Sequence, residues 1–288
     1  MENNLQFQPI GYVKSCFKNK NGTPRQPSIS SATKGDLSIL KTVFNNPEHS
    51  LCGISQFSHV WIIFCFHLNE SSGLKAKVKP PRLDGTKVGV FATRSPHRPN
   101  AVGLTLAKLE NVDNDTIFLS GLDIVSGTPV LDIKPYIPEY DTPRLGLSVI
   151  DKPKSSDQPL SELAEAETTN INVSDWLVEA SKDQINVLFT ERAMQNIKKY
   201  QVKEDTSCQW KLDHICADDM VQVITDILKA DPRSTYRRQK CGDRLYYFTV
   251  DSAHITAWFD DTTVPNTVEV LRIVPCLRLN QYTETKQT

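Results

Sequence analysis

Through the first half of the chain, short apolar runs alternate with polar turns at a spacing that suits strands. Gln8 to Ser15 reads as a strand with Gly and Pro at its edge, and Lys34 to Phe44 alternates loosely, as strand or strand plus turn. Phe57 to His67 is rich in β-branched and aromatic residues and predicts a long strand. Val88 to Thr93, Ala101 to Glu110, Thr116 to Leu119 and Asp132 to Pro135 follow, with a turn at Asn69 to Leu74. A further turn at Asp113-Asn114-Asp115 closes a hairpin between the strand ending near Leu109 and the one starting at Thr116. Turn signals every eight to fifteen residues or so, without strong helices between them, predict an antiparallel barrel or sandwich.

The pattern changes at Leu145. Leu145 to Ser174 contains no aromatic residue and carries Glu162, Glu165 and Glu167 after a Ser/Asp/Pro stretch, which predicts an acidic linker. Beyond it, Ser174 or Asp175 offers a helix cap before Trp176. Gln184 to Tyr200 reads as a helix through Leu188, Ala193, Ile197 and Tyr200. Met220 to Ala230 is a firmer amphipathic helix, ended by Asp231-Pro232. Tyr246 to Val250, Ala253 to Phe259 and Val268 to Ile273 read as three strands. The expected architecture is therefore mainly β over residues 6–144, a linker over 145–174, and a smaller α+β domain over 175–280.

One stretch interrupts the strand pattern in a way that points to chemistry. Between Ala92 and Ala101 the chain displays Arg94, Ser95, His97, Arg98 and Asn100, bracketed by Pro96 and Pro99. Each proline fixes φ and removes a donor, so this loop is stiff as well as polar, and stiff polar loops often carry binding groups. It is read as a turn between two strands of the β domain. Around it, Lys75, Lys77, Lys79, Arg82, Lys87, Arg94, Arg98 and Lys108 face a single acid, Asp84. Such a stripe is either solvated or positioned for phosphates. Asp132 and Lys134 fall on one face of their strand, as a solvent pair or as an acid and a base at a barrel mouth. Arg233, Tyr236, Arg237, Arg238 and Lys240 form a second basic-aromatic cluster of the kind that suits stacked bases and phosphates, or else a solvated loop.

Composition narrows the classes. At 288 residues with a net charge of −1, the chain is long enough for two cores and shows no overall bias toward a polyanion. No apolar run approaches membrane-spanning length, and the first residues lack the features of a signal peptide. The seven cysteines are an odd number with no Cys-x-x-Cys spacing, which points to reduced thiols, a cytoplasmic location with a nuclear pool, and no metal site. Gly-x-Gly-x-x-Gly, Walker, Gly-x-Ser-x-Gly and His-Glu-x-x-His motifs are absent.

The run Gly89 to Leu104, the segments Gly121-Leu122-Asp123 to Pro135-Tyr136 and Phe57 to Trp61, and the Pro24-Arg25-Gln26 loop together resemble the TsaA-like family, which includes the TrmO tRNA methyltransferases. The chain looks like a vertebrate-type member; Asp231-Pro232-Arg233 and the strands after it resemble that family's C-terminal domain more weakly. The resemblance implies a single-sheeted antiparallel β-barrel that binds S-adenosylmethionine without a Rossmann fold. It implies methylation of N6 of N6-threonylcarbamoyladenosine, beside the anticodon of threonine tRNA, by a homodimer with cofactor sites near the subunit contact. Carried onto this sequence, it assigns the cofactor to Pro24, Arg25, Gln26, Phe66, His67, Arg94, Leu104, Val130, Leu131, Asp132 and Ile133. On physical grounds the substrate is expected at Ser95, Arg98, Lys134, Tyr136, Arg233 and Tyr236, and the chemistry at His97, Asn100 and Lys134, with His97 or water taking the proton. A cofactor- or tRNA-binding module without turnover, and a scaffold docking partners through its acidic linker, are the competing readings.

Overall fold

The computed structural model describes residues 6–69, 74–83, 85–142, 174, 185–201 and 210–276. Six strands close into an antiparallel barrel in the order β1 (Gly11–Ser15), β2 (Lys34–Ile39), β7 (Thr116–Ser120), β6 (Val102–Asp113), β3 (His59–Cys65) and β8 (Pro129–Pro135). Strict alternation makes this possible. On β3, Val60, Ile62 and Phe64 are buried while the residues between them are only partly covered. On β2, Gly35, Leu37 and Ile39 do the same. A six-stranded barrel is narrow, so large inward side chains need small neighbours. Gly103 on β6 lies directly opposite Phe64, and a Cβ there would come within 2.3 Å of the ring. The β6–β7 hairpin turns through Asn114 at φ 51°, a left-handed conformation that Asn tolerates.

Barrel closure corrects one expectation. Val88 to Ala92 is not a barrel strand. It forms only β5 (Val88–Gly89), paired with β4 (Lys77–Val78) in a two-stranded ribbon, followed by a short 3-10 turn over Val90–Ala92. The six-stranded ring leaves no free edge for it to join. The polar loop therefore leads into the barrel strand β6 on one side and hangs from the ribbon on the other.

The second core is α+β. Strands β10 (Leu245–Val250), β11 (Ala253–Asp260) and β12 (Thr267–Pro275) form an antiparallel sheet, to which β9 (Asn186–Phe189) adds in parallel beside β12. The two main helices here, Glu191–Gln201 and Ala217–Lys229, contribute to the core on this sheet. In the second, Met220, Val223, Ile224, Ile227 and Leu228 recur at helical spacing and are buried, the face the sequence predicted. The single helix expected over Gln184 to Tyr200 is instead a strand and then a helix. Val187 and Phe189 pack into the core from a strand paired to β12, and Thr190 opens the helix by accepting from the Ala193 amide at 3.1 Å. The expected linker and helix cap lie outside the described residues, apart from Ser174.

The two cores are joined by the segment leaving β1. Cys16 and Phe17, fully buried, belong to the second core and not to the barrel. Burial pushes the Cys16 thiol up to about 12, so it is inert packing. Lys34 of β2 meets Asp219 at 2.6 Å from the other side.

Candidate active site

The loop after β1 is held by the C-terminal sheet. Gly22, at φ 91°, sits so close to Phe248 that a Cβ would fall 2.7 Å from its ring. Asn21 donates to the Tyr247 carbonyl and accepts from the Tyr246 hydroxyl at 2.7 Å, and Asn19 donates to the Thr249 hydroxyl at 3.2 Å. Arg25 Nη2 then donates to the carbonyls of Pro232 and Arg233 at 3.2 and 3.3 Å. Pro24, Arg25 and Gln26 are thereby fixed as one wall of a cleft of about 830 Å³.

The opposite wall is the barrel mouth. Phe64 comes from the end of β3 and Phe66 and His67 from the residues just after it, with the two aromatic rings edge to face at 5.0 Å. Burial first, and then Lys20, hold the His67 imidazole below its ordinary pKa, so it is neutral at pH 7. Gly103 and the half-exposed Leu104 line the cleft from β6, and Ile227, Ala230, Pro232 and Tyr246 close it from the C-terminal side.

The polar loop forms the rim and is stapled internally. Thr93 Oγ1 donates to the Val90 carbonyl at 2.8 Å and accepts from the Ser95 amide at 3.2 Å. Ser95 Oγ accepts from the His97 amide at 3.3 Å. Arg98 folds back, its Nη1 donating to the Thr93 carbonyl at 2.7 Å and more weakly to that of Ser95 at 3.3 Å, with its guanidinium over Phe91. Arg98 thus lines the cleft but serves first as the brace of its own loop. Arg94 is exposed and makes no hydrogen bond or ion pair with any described residue, and His97 is exposed beside it. Arg94, Ser95, His97 and Arg98 are brought together as the sequence predicted.

Other predicted site residues lie elsewhere. Asn100 is exposed and does not line the cleft. Val130, Leu131, Asp132, Ile133, Lys134 and Tyr136 are also outside it. Val130 points into the barrel core, Asp132 and Lys134 form an ion pair at 2.7 Å, and Tyr136 packs edge-on against Trp61 at 5.9 Å. Lys134 is paired in register with Trp61, five residues along β3 from Phe66 and so about 17 Å away.

Arg233 is a correction of another kind. The sequence placed it against substrate, but it is 4% exposed. Nε and Nη2 donate to Asp231 at 2.9 and 3.0 Å, Nη1 and Nη2 to Asp261 at 2.9 and 2.8 Å, and its plane stacks on Phe259 at 3.8 Å. Burial alone would lower its pKa; the bonds to Asp261 and Asp231 outweigh that and raise it. This clamp presents the Pro232 and Arg233 carbonyls to Arg25. Tyr236, 69% exposed on the helix Thr235–Lys240, stands outside the cleft.

Sequence reasoning assigned no role to Asp123, which lines the cleft, nor to Asn21 and Tyr246. The available signal for Asp123 was an acid flanked by Leu122 and Ile124, both core residues. For Asn21 and Tyr246 there was none, because their pairing spans 225 positions.

Replacing Arg233 with Met should remove about 3–5 kcal/mol of stability, because Asp231 and Asp261 are left without their cation. The same variant should weaken binding in the cleft, since the carbonyls that hold Arg25 lose their anchor. Chemical denaturation and calorimetry check both; a loss below about 1 kcal/mol, the range of an exposed ion pair, would show that the clamp is not structural.

Residues 12–142 match the tRNA-methyltransferase O N-terminal domain. The chain is 36% identical over 390 residues to the tRNA (adenine(37)-N6)-methyltransferase of Mus musculus, spanning 94% of this chain and 89% of that protein. It is 38% identical over 169 residues to the protein of the same name from Escherichia coli, spanning 57% and 71%. The crystal structure of TrmO from Pseudomonas aeruginosa superposes with a TM-score of 0.58 at 28% identity, over 94% of this chain and 99% of that one. A chain so similar along nearly its whole length, with the matched domain forming the barrel and the rim of the cleft, belongs to the tRNA-methyltransferase O family.

Proposed function

We propose that this protein methylates N6 of adenosine 37 in tRNA with S-adenosylmethionine as donor, and that the adenosine carries a threonylcarbamoyl group in threonine tRNA. The donor site is the cleft between the barrel mouth and the C-terminal sheet. The observation that carries this reading is the pairing of an aromatic, partly apolar wall at Phe64 and Phe66 with a cation, Arg94, that makes no hydrogen bond or ion pair with any described residue. The residues present fit such a donor: aromatic faces suit a nucleoside, and a free guanidinium suits a carboxylate.

When bound, the donor supplies a methyl carbon on a sulfonium, and the N6 lone pair forms the new bond as the carbon–sulfur bond breaks toward sulfur. The chain's own residues orient and exclude. Arg25 and Gln26 fix the wall, the Thr93–Arg98 staple holds the rim rigid, and the C-terminal side chains Ile227 and Tyr246 keep water from the apolar part. His97, exposed on the rim, takes the N6 proton. The ribbon beside the cleft carries Lys75, Lys77, Lys79 and Lys87, all exposed, which gives the tRNA backbone a set of cations next to the rim.

Labelled methyl transfer tests the substrate. Threonine tRNA bearing the threonylcarbamoyl group should accept label, and the unmodified transcript should accept at least tenfold less, because the carboxylate of that group meets the rim cations. Equal labelling of both would refute the modified base as substrate, and labelling of neither would leave only a binding module.

The site extends to a second copy. Asp132 and Lys134 lie outside the cleft of their own chain, yet the family resemblance assigns them to it. A homodimer that brings this strand to the partner's rim reconciles the two. Light scattering should give the mass of two chains; a single-chain mass at assay concentration would contradict it.

A further inference from the structure

Asp123 is the cleft residue with the least explained environment. The segment that carries it is immobilised from both sides: Leu122 and Ile124 are buried in the barrel core, and Ser15 Oγ donates to the Ile124 carbonyl at 2.6 Å. Thr128 Oγ1 pins the next turn by donating to the Val125 carbonyl at 2.6 Å. Asp123 is left lining the cleft with Oδ1 buried and without a hydrogen bond. Thr105, fully buried on β6 behind it and not part of the cleft lining, is near enough to help hold the carboxyl down. Asp123 Oδ1 is thus a buried acceptor without a hydrogen bond in the wall of the cleft. Burial pushes the carboxyl up to about 6; Thr105 and the charge of Arg94 oppose that only in part. No described cation forms an ion pair with it. A carboxyl this far withdrawn from water with one oxygen unbonded costs stability, and a cationic ligand group in the cleft would satisfy it.

We propose that Asp123 receives the ammonium of the donor's amino-acid end, while Arg94 receives the adjacent carboxylate. An α-amino acid carries both charges on one carbon, so an acid and an unpaired Arg acting on the same space recognise it as a unit. This rests on the donor reading above and adds to it the orientation: the amino-acid end lies at the Asp123 floor. The methyl group then faces away from that floor, toward the rim where the nucleotide enters.

Calorimetry on the full chain tests this with two probes. S-adenosylhomocysteine carries the amino-acid end, and 5′-methylthioadenosine is the same nucleoside thioether without it. Asp123→Asn should weaken the first by about 10- to 100-fold and leave the second within about twofold. Equal loss of both probes would mean a merely structural role, and no loss of either would mean no contact; each overturns the proposal. Retained S-adenosylhomocysteine affinity with lost turnover would also overturn it, placing Asp123 at the nucleophile instead. Wild-type protein that binds neither probe would sink the donor reading itself, whereas wild-type protein binding both equally would sink only the subsite.

Should the variant fold poorly, the wild type gives the same answer through pH. Below pH about 6 the carboxyl takes up a proton and can no longer counter an ammonium. Affinity for S-adenosylhomocysteine should therefore fall as pH drops, by up to about tenfold per unit, with methylthioadenosine flat. The other charged groups lining the cleft are Lys20, Arg25, Lys79, Arg94 and Arg98, with the imidazoles of His67 and His97. Protonation of either imidazole would attract the carboxylate and raise affinity, the opposite sign. An affinity that holds or rises through this window would contradict an Asp123 contact.

Discussion

The packing of the segment after β1 against the C-terminal sheet is the constraint on which the site depends. Phe17, two residues beyond β1, is fully buried in the second core while β1's Val13 lies in the barrel core, and Gly22 touches the ring of Phe248 where no other residue would fit. A loop held this way cannot move with the barrel alone. Arg25, at its end, is bonded to two C-terminal carbonyls, and so one wall of the cleft is fixed in position by the other core. Burial of a Phe is worth roughly 1.5–3 kcal/mol, and the several hydrogen bonds from Asn19, Asn21 and Tyr246 add direction to that attraction. Neither core makes the site by itself.

Charge is distributed by the same logic. Arg233 is buried, surrounded by two carboxylates and a ring, and spends its hydrogen-bonding capacity on holding Pro232 in place. Arg98 braces the loop that carries it. What remains is Arg94 on the rim, without a hydrogen bond or ion pair to any described residue, and Asp123 at the floor, whose carboxyl feels the Arg94 charge but forms no ion pair with it. Structural cations are satisfied and hidden, while the groups left over are those a zwitterionic, nucleoside-bearing donor satisfies.

Much of this was legible in the chain because the barrel obeys a strict period of two. His59–Cys65 and the β6–β7 hairpin follow directly from alternation and turn chemistry, and the helix Ala217–Lys229 from its apolar face. The rim loop was legible because prolines and polar side chains interrupt that period. The rest failed for physical reasons. Asn186–Phe189 is short and pairs in parallel with a strand some eighty residues later, so nothing local marks it as β. Val88 to Ala92 has strand composition, but ring closure excludes it. Arg233 looks like a surface cation until Asp231 and Asp261 meet it in space, and Asp123 looks like an ordinary turn acid until its flanking residues turn out to be core. Residues Val130 to Tyr136 are carried by likeness to the family, and no feature of the single chain brings them to the cleft.

The most direct test of a donor site built jointly by the two cores is a crystal structure of the full chain with S-adenosylhomocysteine. Electron density for the nucleoside between the Pro24-Arg25-Gln26 wall and Phe66, within contact of the C-terminal residues Pro232 and Tyr246, is the expected result. A nucleoside bound to the barrel alone, with those C-terminal residues untouched and the loop after β1 displaced from Phe248, would contradict it.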